Sequence, residues 1–196
     1  MRRRIILEGE KSGGRYIIDG HEVVDLVLPS GTLWATCNVG ASNEGQFGNY
    51  YQYGKGRWEY QQTSGDTYYE GTESQLALSA DTAYQLWGSN WRMPTKDECL
   101  ELMYNTTYEW ITNYNGSGVK GGKFISVIDE SQCVFIPASG YYEEGTLHQY
   151  NNAGYIWSSV PYGNYRIYQL AVDSGFPSIA YNFVTWGVPV RPIVNY

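Results

Sequence analysis

The window from Gly154 to Pro192, GYIWSSVPYGNYRIYQLAVDSGFPSIAYNFVTWGVPVRP, limits what this chain can fold into more than any other stretch. It contains no Lys; Arg166 and Arg191 are its only cations and Asp173 its only carboxylate. Nine aromatics lie between its Tyr155 and Trp186: Tyr155, Trp157, Tyr162, Tyr165, Tyr168, Phe176, Tyr181, Phe183 and Trp186. A core strand cannot bury so many rings on both faces, and an ordinary surface carries Lys and Glu in their place. Tyr and Trp mixed with Ser, Gly and Asn give rigid contact area beside adaptable hydrogen bonding. The window reads as a binding surface.

Period 2 divides one strand of it. From Arg166 to Asp173, Tyr168, Leu170 and Val172 share one face, and Ile167, Gln169, Ala171 and Asp173 share the other. The first set has core chemistry. The second is mixed, as residues chosen by a ligand would be.

Composition sets outer bounds. At 196 residues with 42% apolar content, one domain with a sizeable core, or at most two small ones, is expected. The net charge of -7 leaves no basic stripe to neutralise phosphates, which speaks against nucleic acid. No apolar stretch reaches the length of a membrane span; Ile5-Ile6-Leu7 runs into Glu8 and is too short for a signal peptide. Cys37, Cys99 and Cys133 are odd in number and lack CxxC spacing, so they read as small buried hydrophobes.

Along the chain, residues 1–13 read as a flexible segment and 14–196 as one domain, with 42–75 a long Gly- and Tyr-rich insertion and 155–186 the binding region. Arg15 to Val24 predicts a hairpin around Asp19-Gly20, and a third strand follows over Thr32 to Val39. A helix is expected from Thr82 to Trp87, capped by Ser79 or Asp81 and stopped at Gly88. A second starts at the Thr95–Glu98 capping box after Pro94, burying Cys99, Leu102 and Met103. Beyond Asn105 the pattern is short strands and turns, closed by a strand over Gly187 to Pro192 whose prolines suit an edge or an end. That order predicts an α+β fold: short antiparallel strands, two helices, long loops, and chain ends close together.

Five ordered blocks carry a resemblance. Val24-Asp25-Leu26 with Leu28 to Ala41, Trp91-Arg92-Met93-Pro94-Thr95, Ile136 to Tyr141, Trp157-Ser158-Ser159 and Gly187 to Pro192 resemble a gut-bacterial and phage family of C-type-lectin-fold proteins. That family includes the variable proteins of diversity-generating retroelements, in which a reverse transcriptase rewrites codons near the C-terminus. The resemblance implies a C-type lectin fold with rewritten codons between Trp157 and Gly187. By position, Tyr162, Tyr165, Gln169, Ala171, Asp173, Phe176, Ser178, Tyr181 and Phe183 fall where the family varies. Tyr168, Leu170, Val172 and Ser174 fall where it is constant. Gln169 and Trp186 depart from the pattern, because mutation of adenines in Asn codons reaches Tyr, Ser, Phe, Asp and Ala but not Gln or Trp.

The expected ligand-binding set is therefore Tyr155, Tyr162, Tyr165, Arg166, Gln169, Ala171, Asp173, Phe176, Ser178, Ala180, Tyr181, Phe183 and Trp186. Trp58 and Tyr60 in the insertion extend it or sit in a mobile loop. The ligand is a protein or glycan on a cell surface, and the chain belongs at a cell surface or on a phage virion. No metal or cofactor is expected: His21 and His148 stand apart, and the Glu-Pro-Asn and Trp-Asn-Asp motifs of calcium-dependent lectins are missing. Asp129-Glu130 and Glu143-Glu144 would point to opposite strand faces, unsuited to paired acid–base work. The alternative is a fixed-specificity adhesin or an assembly module of pilus-tip or phage-tail type, which self-associates through the same face. A third reading, an oxidase resembling formylglycine-generating enzymes, lacks the required cysteine pair, since Cys133 is the last cysteine.

Overall fold

Asp19 and Gly20 turn the chain back on itself by taking φ of +48° and +82°, the backbone that a two-residue type I′ hairpin needs. They join β1 (Gly14–Ile18) to β2 (His21–Asp25) in antiparallel register. The computed structural model describes residues 13–54 and 75–196. The expectations for residues 1–12, Trp58 and Tyr60 lie outside the described residues.

The ends of the described chain meet in one sheet. β3 (Leu33–Ala35) adds to β2, and the last strand, β15 (Ile193–Val194), inserts between β3 and β5 (Trp91–Arg92), giving the order β1-β2-β3-β15-β5. β4 (Tyr50–Tyr51) pairs with β14 (Val188–Pro189). The closing segment is thus two short pairings rather than one edge strand. Pro189 and Pro192 are buried, and the segment is held by carbonyls: Val190 O accepts Val39 N and Pro192 O accepts Ala35 N. Proline keeps its acceptor even though it has lost its donor.

Arg191 anchors this junction. Its side chain is fully buried. Nε donates to Asn38 Oδ1 at 2.7 Å, Nη1 to Ala35 O at 3.1 Å and Thr36 O at 2.6 Å, and Nη2 to Phe135 O at 2.9 Å. Burial draws the guanidinium down to about 10, so it stays charged at neutral pH.

Both helices start where their caps put them. Asp81 accepts from Ala83 N and Tyr84 N to open α1 (Thr82–Trp87), which ends at Gly88 with φ of +98°. The Thr95–Glu98 capping box opens α2 (Lys96–Tyr104), which buries Cys99 and Leu102. After Asn105 one 3-10 turn, Tyr114–Gly116, interrupts a series of strands. β6 (Thr106–Ile111), β7 (Gly121–Ser126) and β8 (Cys133–Pro137) form a meander. β9 (Tyr141–Glu143) and β10 (Thr146–His148) form a hairpin. β11 (Gly154–Tyr162), β12 (Arg166–Val172) and β13 (Ser178–Phe183) form a second meander.

This overturns the α+β class. Strands hold 41% and helices 13% of the described residues, in several small, mostly antiparallel sheets without a closed barrel. The helices are 6 and 9 residues long and cover sheets instead of forming a layer. Frequent turns keep most strands short, and only their number reveals the class.

Among the described residues two apolar clusters form the core, and the β11–β12–β13 sheet contributes to both. Trp157 and Ile167 join Val23, Trp91, Met93 and Val188. Ile156, Leu170 and Val172 join Trp34, Leu102, Phe124 and Ile136. At Gly154 an added Cβ would come within 2.4 Å of Pro137 O, so glycine is what lets β11 lie against β8. Cys99 and Cys133 are buried as small hydrophobes, and Cys37 is half-buried.

Candidate functional site

The register of the β11–β12–β13 sheet sorts the aromatic residues. Arg166 pairs with Tyr162 on one side and Phe183 on the other, and Tyr168 pairs with Tyr181. Directly opposed residues share a face, so these five, together with Leu170, lie on the α2 side. Gln169 sits between Trp157 and Ala180, and Ala171 between Tyr155 and Ser178, on the other side.

At the tip, beside the Gly163 turn, the α2-side residues form one cluster. Tyr162 stacks on Tyr181 with centroids 4.2 Å apart and meets Tyr168 edge-on at 5.2 Å. The Arg166 guanidinium lies 5.4 Å from the Tyr181 ring centroid and 5.0 Å from that of Phe183. Lys96, at the start of α2, places Nζ 4.5 Å from the Tyr168 centroid. Rings and cations at these distances attract through the ring quadrupole. Tyr168 is therefore half-exposed site material, where the periodicity placed it in the core.

A second cluster centres on a residue that the sequence did not single out. Tyr141 stacks on Trp186 at 4.0 Å with 2° between planes, meets Tyr155 edge-on at 5.4 Å and lies 5.3 Å from His148. Trp186 Nε1 donates to Glu143 Oε1 at 2.9 Å. Phe183, 6.4 Å from Trp186, links the two clusters. Burial raises the hydroxyl pKa of both Tyr155 and Tyr141, with lesser contributions from Tyr141 and Glu143 respectively. Both phenols are thus neutral hydrogen-bonding groups at physiological pH. Only the ring-rich block around Tyr141-Tyr142 could have hinted at this cluster.

The remaining expected residues are scattered. Tyr165 is exposed at the tip, where its carbonyl accepts Val184 N. Asp173, Phe176 and Ser178 sit at the other end of β12, ~20 Å away at about 3.3 Å per residue. Phe176 there is 87% exposed. Asp173 accepts Gly175 N at 2.7 Å through its side chain and the Tyr108 hydroxyl through its carbonyl. Ala171 and Ala180 are half-buried. Gln169 is fully buried, and among the described residues neither its Oε1 nor its Nε2 has a hydrogen-bond partner. Its face was expected to meet ligand, but Trp157 and Ile167 bring a core cluster onto that side of the sheet. Gln169 cannot touch a ligand in this conformation.

A groove of about 390 Å³ is lined by His21, Glu22, Cys37, Glu44 and Trp87 among others. None of the expected binding residues lines it, and the His21 ring is stacked flat on Trp87 at 3.6 Å. Among the described residues no three His, Cys, Asp or Glu side chains gather to hold a metal, and no helix is long and apolar enough to cross a membrane.

Compared with known protein families, with curated proteins and with solved structures, the chain matches none.

Proposed function

We propose that this chain is a non-enzymatic binding protein whose Tyr-rich C-terminal surface recognises a protein or glycan on a cell surface. The observation that carries the reading is the tip cluster: Tyr162, Tyr181 and Phe183 are 43%, 45% and 42% exposed, packed against one another and against Arg166. Exposed rings already held in place lose little freedom on binding, so contact area translates into affinity at low ordering cost.

The resemblance to variable proteins of diversity-generating retroelements belongs to the same proposal. It gains support from the two residues that adenine-directed mutation does not supply. Gln169 is buried in the sheet, and Trp186 is stacked on Tyr141 and bonded to Glu143. Positions tied into the scaffold are those that rewriting must leave alone. Tyr162, Tyr165, Tyr181 and Phe183, exposed at the tip, carry residues the mutational route reaches.

Sequencing the flanks of the gene tests the diversified form. The expected result is a reverse transcriptase beside a near-copy of the codons for Trp157 to Pro192 that differs mainly at adenines. Binding of the whole chain to glycan arrays and to cells, compared with a Tyr162→Ala/Arg166→Ala variant, tests the surface itself. Binding that the double variant leaves unchanged would overturn the reading. A mass that rises with concentration and falls back in the same variant would favour an assembly module instead.

A further inference from the structure

The outer edge of β13 runs beside the tip cluster, and its hydrogen-bonding phase can be worked out. Val184 N donates to Tyr165 O at 3.0 Å. In an antiparallel ladder the bonded pairs recur at every second residue, so Asn182, Ala180 and Ser178 face β12 in turn. Ile179, Tyr181 and Phe183 then aim their N–H and C=O groups away from the sheet. Trp186 N takes the Phe183 carbonyl. Among the described residues no backbone bond reaches the outward groups of Ile179 or Tyr181, or the Phe183 N–H.

The other edge of the same sheet is treated differently. On β11, Ser159 O accepts both Leu76 N and the Tyr53 hydroxyl, and Ser159 N donates to Pro94 O. Natural edge strands are blunted by charge, Pro, Lys or bulges. β1 carries Arg15 and β6 carries Glu109. β13, with the sequence SIAYNF, has no charged residue, no Pro and a continuous register.

The charges around this edge indicate what would pair with it. Arg15 and Arg92 are engaged by carboxylates. Arg166 and Lys96 instead lie over ring faces, with no carboxylate within salt-bridge distance among the described residues. A second copy of β13 would bring these cations no acid.

We infer that β13 is a strand-addition site for an extended, acidic segment of another protein, held by main-chain bonds to Ile179 and Tyr181 and by carboxylates against Arg166 and Lys96. This rests on the reading of the aromatic surface as a binding face, and it names the partner's chemistry. Main-chain pairing supplies affinity in this mode, and alternate side chains supply selectivity. Tyr181 and Phe183 would flank the incoming strand on the α2 side.

The test uses the whole chain and three ten-residue probes: an alternating Glu-Val peptide, its Lys-Val counterpart, and the Glu-Val peptide N-methylated at alternate residues. Calorimetric titration is expected to show binding of the Glu-Val peptide, at least tenfold weaker for the other two. Amide exchange at Ile179, Tyr181 and Phe183 should slow at least tenfold in its presence. Tyr181→Pro removes an outward N–H without breaking a bond to β12, whereas Tyr181→Ala removes only the ring; the Pro variant should bind at least tenfold more weakly than the Ala variant. Equal binding by the two variants, with no protection of the β13 amides, overturns strand addition and leaves the aromatic face standing if Tyr162→Ala still weakens binding. A homodimer that protects the same amides overturns it in favour of a second copy.

Discussion

Tyr162 and Tyr181 stack 4.2 Å apart with 19° between their planes, although β12 lies between the strands that carry them. The contact crosses the middle strand diagonally, beside Tyr168, which meets the Tyr162 ring at 5.2 Å. It fixes two exposed rings in one orientation without burying either.

A stack of this kind adds little to stability. Tyr162→Ala and Tyr181→Ala are each expected to cost about 1 kcal/mol or less, with a coupling in the double-mutant cycle of about 0.5–1.5 kcal/mol. Urea unfolding of the two single variants and the double variant measures both. A cost of several kcal/mol from either substitution would make the rings structural and remove the argument for a ligand face.

Arg191 is the opposite case. Its four donated bonds tie the end of the chain to Asn38, to the carbonyls of Ala35 and Thr36, and to β8 through Phe135 O. Arg191→Met strands those buried acceptors and is expected to cost about 3–5 kcal/mol. Arg191→Lys should lose most of that as well, because one ammonium cannot replace a planar fork aimed at four separate acceptors. Chemical denaturation gives the numbers, and a Lys variant as stable as the wild type would refute the role of the fork.

What the sequence made legible was local. The Asp19-Gly20 turn, the Asp81 cap and the Thr95–Glu98 box each specify their element within four residues, and each element formed where expected. The fold class was not legible, because it depends on how many two- and three-residue strands find partners far along the chain; β14 and β15 pair with β4 and β3. Periodicity failed at Gln169 and Ile167 for a related reason. It assumes one wet face, and β12 is covered on both sides at its middle. Tyr141, named only as part of a resemblance block, was not expected at the site because its ring meets Trp186 only through tertiary folding.

Gln169 offers a direct check on that burial. Both its amide atoms are buried without partners among the described residues, which costs about 1–3 kcal/mol for an unsatisfied polar group. Gln169→Met keeps the length of the side chain and removes the polar atoms, so stability is expected to rise by about 1 kcal/mol or more. Thermal and urea unfolding would show it. A destabilised Met variant would mean that the amide is satisfied in solution and that the site below Ala180 is polar.

Glu98 provides the pH test. Burial alone would raise its carboxyl pKa, but hydrogen bonds from Arg92 and Thr95 outweigh burial and hold it below its ordinary value of 4.5. Arg92 grips both oxygens, at 2.8 Å and 2.5 Å, and Thr95 N donates at 2.8 Å. A carboxylate depressed in the folded state stabilises fully above its unfolded value, and that contribution is lost as the pH falls through the lower folded value. Glu98→Gln is expected to be less stable than the wild type at pH 7 by about 1–3 kcal/mol. The gap should narrow steadily once the pH drops below 4.5, because the wild type then surrenders the same interaction by protonation. Urea unfolding of both proteins across that range measures the convergence. A gap that stays constant with pH would show that the loss comes from the capping geometry alone and that the Arg92–Glu98 charge contributes nothing.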